Sequence, residues 1–119
     1  MEYDETALID FFGVEPVPQD TEESEFFGSS EFEVIRGQLV FRISFSPTHS
    51  PKVIVDILHS SGGGPVIHVV VNDAAAVRIH AGPQRLVVLA ARPGAQSRDP
   101  QLEERMTVSL NPLKVVVSD

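Results

Sequence analysis

The amino-acid sequence predicts an all-β fold: an antiparallel β-sandwich of about eight strands with a short N-terminal α-helix. Two observations predict this class. Apolar and polar residues alternate in short runs, and Gly, Pro or Asn-Asp turns separate these runs along most of the chain. At 119 residues the chain has the length of one domain. We therefore expect residues 1–119 to form a single sandwich, with residues 1–30 as an acidic helix and loop arm.

The stretch 52–80 predicts a three-stranded antiparallel meander, because a Gly-rich turn and an Asn-Asp turn separate its three apolar runs. Pairing the strands around these turns places odd-numbered apolar residues on one face and leaves no polar residue there. We expect this face to form the core. The residues assigned to it are Val53, Val55, Ile57, Ile67, Val69, Val71, Val77 and Ile79.

The opposite face of the predicted meander is half apolar, and it contains a polar row. In the predicted register Asp56 lies opposite His68 and His68 lies opposite Arg78, with His80 nearby. A carboxylate beside an imidazole fixes its tautomer, as in a general base, so these four residues are the candidate catalytic set. The alternative is a polar row with no catalytic role, in which these side chains satisfy one another's hydrogen bonds on a half-exposed sheet face. We favour this alternative because catalytic residues lie on loops more often than at sheet centres.

The N-terminus predicts a two-turn helix that begins after Asp4 and ends at Gly13. Leu8, Phe11 and Phe12 have the spacing of one helical face, and a helix this short must dock to be stable. We expect this helix to cover the half-apolar face of the meander. The alternative is a recognition segment that folds onto a partner.

The charge of the chain is unevenly distributed. Residues 1–33 contain eleven acids and no Lys or Arg, whereas residues 34–119 contain nine bases and six acids. The two parts carry −11 and +3, which together give the net charge of −8. This distribution argues against nucleic-acid binding by the arm, and it fits a solvated arm, an arm lying on the basic body, or a surface for a basic partner. The candidate partner-binding residues are Leu8, Phe11, Phe12, Glu22, Glu23 and Glu25.

Composition excludes several classes of site. The chain contains no cysteine, which rules out disulfides and thiolate metal sites. We expect no metal and no cofactor, because the four histidines lack the spacing of a ligand set. The acidic N-terminus lacks the basic region of a secretory signal, and no apolar run has the length of a membrane span. We therefore expect a cytoplasmic protein that binds neither nucleic acid nor membrane.

The connections between the predicted strands suggest where the chain changes sheets. The Pro-bounded segment 47–51 and the long connection 92–101 are the predicted places. Asp99 followed by Pro100 predicts one helical turn over residues 100–104. The run Arg85–Ala91 is apolar on both sides, which is typical of a central strand covered on both faces.

In outline the chain is small, acidic, cysteine-free and β-rich, and in this it resembles many uncharacterised bacterial proteins and some toxin-neutralising immunity proteins. The resemblance is one of size and charge and transfers no site residue. The acidic arm and the exposed apolar face predict a non-enzymatic protein-binding module that meets a partner through these two surfaces. It would neutralise a basic partner or act as an assembly subunit. A homodimer through the half-apolar face is a related expectation. The alternative is a small enzyme or ligand-binding domain that uses the row of Asp56, His68 and Arg78.

Overall fold

The structure is a computed structural model, and it describes residues 1–16, 30–46, 51–82, 84–91 and 102–118. These residues form one helix and eight strands. The elements are α1 (Glu5–Phe12), β1 (Ser30–Arg36), β2 (Leu39–Ser46), β3 (Lys52–His59), β4 (Ile67–Asn72), β5 (Ala74–His80), β6 (Arg85–Ala91), β7 (Leu102–Leu110) and β8 (Leu113–Val117).

The strands form two antiparallel four-stranded sheets in chain order. Sheet 1 contains β1 to β4 and sheet 2 contains β5 to β8, and within each sheet every strand pairs with the next one along the chain. The inner faces of the two sheets enclose one hydrophobic core, which confirms the predicted β-sandwich. Its fully buried side chains include Phe32, Phe41, Ile43, Phe45, Val53 and Val55 of sheet 1 and Leu86, Val88, Met106 and Val108 of sheet 2.

The chain passes from sheet 1 to sheet 2 between β4 and β5, through the single turn residue Asp73. This residue has a φ of 56°, a left-handed conformation that Asp tolerates better than most residues. The predicted meander is therefore wrong at its second turn, because β4 and β5 lie at the edges of different sheets. The predicted inward residues Val71 and Val77 are nevertheless both buried, since each sheet faces the same core. Of the other predicted inward residues, Val69 and Ile79 are partly buried and Ile67 is 46% exposed.

Neither predicted place of sheet change is correct. Residues 47–50 lie outside the described residues, but β2 and β3 on either side pair with each other in sheet 1. The strands that flank 92–101, β6 and β7, likewise pair within sheet 2. Residues 102–104 belong to β7, so the predicted helical turn over 100–104 is wrong over those residues, while 100 and 101 lie outside the described ones. The central position of β6 is confirmed, because its residues 86–90 are buried.

Both predicted ends of α1 are confirmed. The Asp4 Oδ1 atom accepts hydrogen bonds from the backbone N–H groups of Thr6 (3.0 Å) and Ala7 (3.3 Å), as an N-cap does. Gly13 has a φ of 71° and its N–H donates to the Ile9 carbonyl at 2.8 Å, which closes the C-terminal end.

The helix packs into the core rather than over an outer face. The Phe12 ring lies 4.9 Å from the ring of Phe32 and 6.2 Å from that of Phe41, measured between ring centroids. Leu8 and Phe11 are buried in the same core. The predicted lid over the outer face is thus wrong, because the aromatic side of α1 is buried among the phenylalanines between the sheets. Among the described residues no helix has the length and hydrophobicity to span a membrane.

Candidate functional site

The outer face of sheet 1 contains the pair that the sequence singled out. Asp56 of β3 lies directly opposite His68 of β4, as predicted. The His68 Nδ1 atom and the Asp56 carboxylate are hydrogen-bonded. The His68 side chain is 55% exposed, so the imidazole lies at the surface and can be reached by a partner molecule.

Arg78 does not belong to this row. It lies on β5, in the other sheet, where it pairs with Val87 of β6, and His80 pairs with Arg85. The predicted position of Arg78 opposite His68 is therefore wrong, because the chain changes sheets at Asp73. An enzyme or ligand site that needs Asp56, His68 and Arg78 on one face has no such row in this fold.

A different cation completes the row on sheet 1. The strand registers place Glu33, Arg42, Asp56 and His68 side by side across β1 to β4. The Arg42 guanidinium donates to Glu33 Oε2 from Nη2 at 3.0 Å and from Nε at 3.3 Å. Its Nε atom also lies 3.6 Å from Glu31 Oε1. Acidic and basic groups therefore alternate from one edge of the sheet towards the other.

The place of Arg42 in this row could have been predicted from the sequence. Arg42 points outward in the alternation of residues 39–46, the same side that Asp56 takes in the next strand. Pairing the two strands would have placed Arg42 beside Asp56. The prediction instead treated the segment 47–51 as a change of sheet, which separated these two residues.

Apolar side chains flank this row on both sides. Ile35, Val40 and Leu58 form the next cross-strand row towards one end of the strands, and Ile35 is 64% exposed. Ile54 and Val70 pair on the other side of the polar row. We call this whole surface the sheet 1 outer face. It consists of Glu31, Glu33, Ile35, Val40, Arg42, Ser44, Ile54, Asp56, Leu58, His68 and Val70.

Among the described residues, the sheet 1 outer face is an exposed sheet surface on which the side chains of His68 and Asp56 are 55% and 24% exposed. Neither Asp56 nor His68 lines any of three hollows whose walls are formed by described residues. Within the described ranges no three His, Asp or Glu side chains are grouped as metal ligands would be. A hydrogen-bonded Asp and His on an open sheet can orient an imidazole, but they supply neither a nucleophile nor a shielded pocket.

The predicted partner-binding residues fall into two groups. Leu8, Phe11 and Phe12 are buried in the core, so they contribute to folding and offer little surface to a partner. Glu22, Glu23 and Glu25 lie outside the described residues. The sheet 1 outer face presents more accessible side chains. It includes part of the half-apolar face that the sequence predicted to meet a partner or a second copy, although the predicted partner-binding residues did not include these side chains.

Comparison with known proteins identifies a structural likeness. No family model and no curated protein matches the sequence. The fold is similar to a chain in a solved structure of a contact-dependent growth inhibition toxin–immunity protein complex from Klebsiella pneumoniae 342. The TM-score is 0.74 at 14% sequence identity, and the match covers 98% of this chain and 93% of the other. A match at this identity establishes a shared fold over nearly the whole of both chains.

Proposed function

We propose that this protein is a non-enzymatic protein-binding module that neutralises a basic partner protein, in the manner of an immunity protein. The observation that carries the proposal is the sheet 1 outer face, where a row of alternating acidic and basic side chains lies between exposed apolar side chains. The partner would cover this face, with Arg42, Asp56 and His68 near the centre of the contact.

The composition of the sheet 1 outer face supports a protein ligand. Protein interfaces combine a central patch of apolar groups with arginine and hydrogen-bonding side chains. Here Ile35 is exposed over most of its surface, Val70 is 39% exposed, and Arg42 lies between them. Neighbouring exposed apolar groups rimmed by polar side chains are typical of interaction sites.

The charge of the chain supports a basic partner. The net charge is −8, and residues 1–16 contain five acids and no Lys or Arg. Opposite net charges accelerate the encounter of an acidic protein with a basic one, and like charges repel acidic competitors. The carboxylates of Glu33 and Asp56 on the face itself would give a basic partner local contacts in addition to this long-range attraction.

The fold likeness supports the immunity part of the proposal as an analogy. The similar chain comes from a toxin–immunity protein complex, in which one protein binds another. Folds host many functions, so the likeness raises the expectation of protein binding without locating the contact. The contact is inferred from this chain's own exposed residues.

Charge reversal on the two outer faces tests the proposal. Affinity capture from the source organism should retain a basic protein with the wild type and lose it with Arg42→Glu, since the change removes the guanidinium contact at the centre of the face. Arg78→Glu is the matched control, because it reverses an exposed arginine on sheet 2. The added negative charge would by itself attract a basic protein, and it is the same in both variants. Expressed alone, the captured protein should arrest growth, and co-expression of this chain should restore it.

Two outcomes would contradict the proposal. One is a captured protein that Arg42→Glu and Arg78→Glu retain equally, which would place the contact elsewhere. The other is the absence of any captured basic protein with the wild-type chain. Self-association through the sheet 1 outer face is a related proposal. It predicts a dimer in sedimentation that Arg42→Glu dissociates and Arg78→Glu leaves intact.

A further inference from the structure

Cationic side chains gather at one end of sheet 2, although the chain as a whole is acidic. Arg85 begins β6 and lies opposite His80, and Lys114 of β8 lies opposite Ser109 of β7. Arg36, at the end of β1, reaches the same end of the sandwich. We call the set of Arg36, Arg85, Ser109 and Lys114 the cationic end.

Two adjoining hollows lie at the cationic end and share a wall. One has a volume of about 530 Å³ and is lined by Arg85, Thr107, Ser109 and Lys114 together with Ala81 and Val116. The other has a volume of about 440 Å³, and Arg36, Gln84 and Asn111 lie on its wall. Ser109 and Lys114 line both. Lys114 therefore lies between a hollow that contains Arg85 and a hollow that contains Arg36.

The described side chains that line the two hollows include cations and polar groups but no acids. Of the described residues that line the two hollows, none is a carboxylate, whereas three are cations and four carry a hydroxyl or amide group. No ion pair joins Arg85 or Lys114 to another described residue, in contrast to Arg42 with Glu33. Cations that lack a carboxylate partner, beside hydroxyl and amide donors, form the donor set that an anion needs.

We propose that the cationic end binds a small anion with at least two negatively charged groups. One group would lie between Arg85 and Lys114, and the other between Lys114 and Arg36. Either phosphate or carboxylate groups supply this chemistry, since both accept hydrogen bonds from guanidinium and ammonium. A nucleic acid is disfavoured, because the net charge of −8 repels a long polyanion and the cationic end spans only a few side chains.

Titration with defined anions tests this site independently of the proposed partner. We expect isothermal titration calorimetry of the full chain at near-physiological ionic strength to detect inorganic pyrophosphate, with orthophosphate binding about tenfold more weakly because it offers one group. Citrate serves as the carboxylate probe, and its affinity relative to pyrophosphate identifies the preferred anion. Amide chemical shifts should change at the residues on either side of Ser109 and Lys114.

Substitutions with glutamine locate the site. Lys114→Gln should weaken pyrophosphate binding about tenfold, because one charge-assisted contact is lost, and Arg85→Gln should do the same. Arg42→Gln is the matched control: it removes an equal charge from the other sheet and should leave the affinity unchanged. Thermal unfolding of each variant checks that the fold is retained.

The proposal is overturned if neither pyrophosphate nor citrate binds, or if orthophosphate binds as tightly as both. It is also overturned if Arg42→Gln weakens binding as much as Lys114→Gln, since that would show a response to net charge alone. Binding that Lys114→Gln and Arg85→Gln weaken selectively supports it.

Discussion

The outer faces of the two sheets differ in whether their charged side chains form ion pairs with other described residues. On sheet 1 the Arg42 guanidinium is held by Glu33, and Asp56 is hydrogen-bonded to His68. On sheet 2 Arg78 and Lys114 have no ion pair with another described residue. A face whose charges pair with one another suits a protein partner that has a mixed surface of its own. Cations that form no ion pair with another described residue suit a small anion. One sandwich therefore offers two chemically distinct surfaces.

The two outer faces also differ in how exposed their valines are. Val87 of β6 points away from the main core yet is 0% exposed, and it contacts Ala76 and Leu89 in a second buried cluster. Val70 of β4, on the sheet 1 outer face, is 39% exposed. Sheet 2 is thus covered at its centre, while sheet 1 leaves its outer apolar groups available for a ligand.

The largest effect is expected in the core that the two sheets share. Phe12→Ala removes a ring that contacts Phe32 and Phe41, so we expect the free energy of unfolding to fall by about 3–5 kcal/mol. Denaturant unfolding measures this change. Hydrogen exchange should show both sheets losing protection together, because one core stabilises both. Ile35→Ala, at an exposed position, is the control, and loss of protection in sheet 1 alone would contradict a shared core.

Two matched valine substitutions compare the outer faces directly. Val87→Ala should lower the free energy of unfolding by about 2 kcal/mol, because it empties space in a buried cluster. Val70→Ala should change it by less than about 0.5 kcal/mol, because the side chain is already partly hydrated. Urea denaturation curves of both variants provide the measurement. Equal losses would remove the distinction between a covered and an open face.

Removal of the N-cap of α1 tests how much the capped helix contributes to the free energy of unfolding. Asp4→Ala deletes the acceptor for the Thr6 and Ala7 N–H groups, and we expect a loss of about 1 kcal/mol in the free energy of unfolding. Asp10→Ala is the control, because Asp10 lies past the first turn and caps nothing. Differential scanning calorimetry of the two variants measures the difference. Indistinguishable melting temperatures would show that the cap does not stabilise the docked helix.

The smallest effect on stability is expected at Arg42. Its ion pair with Glu33 is about one-third exposed, and pairs of this kind contribute about 0–1 kcal/mol. Arg42→Ala should therefore leave the unfolding midpoint nearly unchanged while it weakens capture of the proposed partner. Equilibrium unfolding and affinity capture of the same preparation separate the two roles. A loss of several kcal/mol would instead make Arg42 a structural residue.

Local features of the fold were predictable because their causes are local. Asp4 and Gly13 mark the helix ends through hydrogen bonds and a left-handed φ that depend on neighbouring residues alone. The register that pairs Asp56 with His68 follows from the Gly-rich turn between them. The candidate site was only half predicted, since Arg42 lies beside Asp56 through a pairing of β2 with β3 that the sequence of residues 47–51 does not specify.

Alternation along β2 and β3 was sufficient to determine which side of these strands faces the core. Only the tertiary structure decided which strand lies beside which, and hence that Arg78 leaves the row of His68 for another sheet. The physical reason is that side chains alternate with a period of two whether a strand continues in one sheet or crosses to the other. In a sandwich both sheets bury their inner faces in the same core, so Val71 and Val77 are buried on either side of Asp73 although their strands never pair.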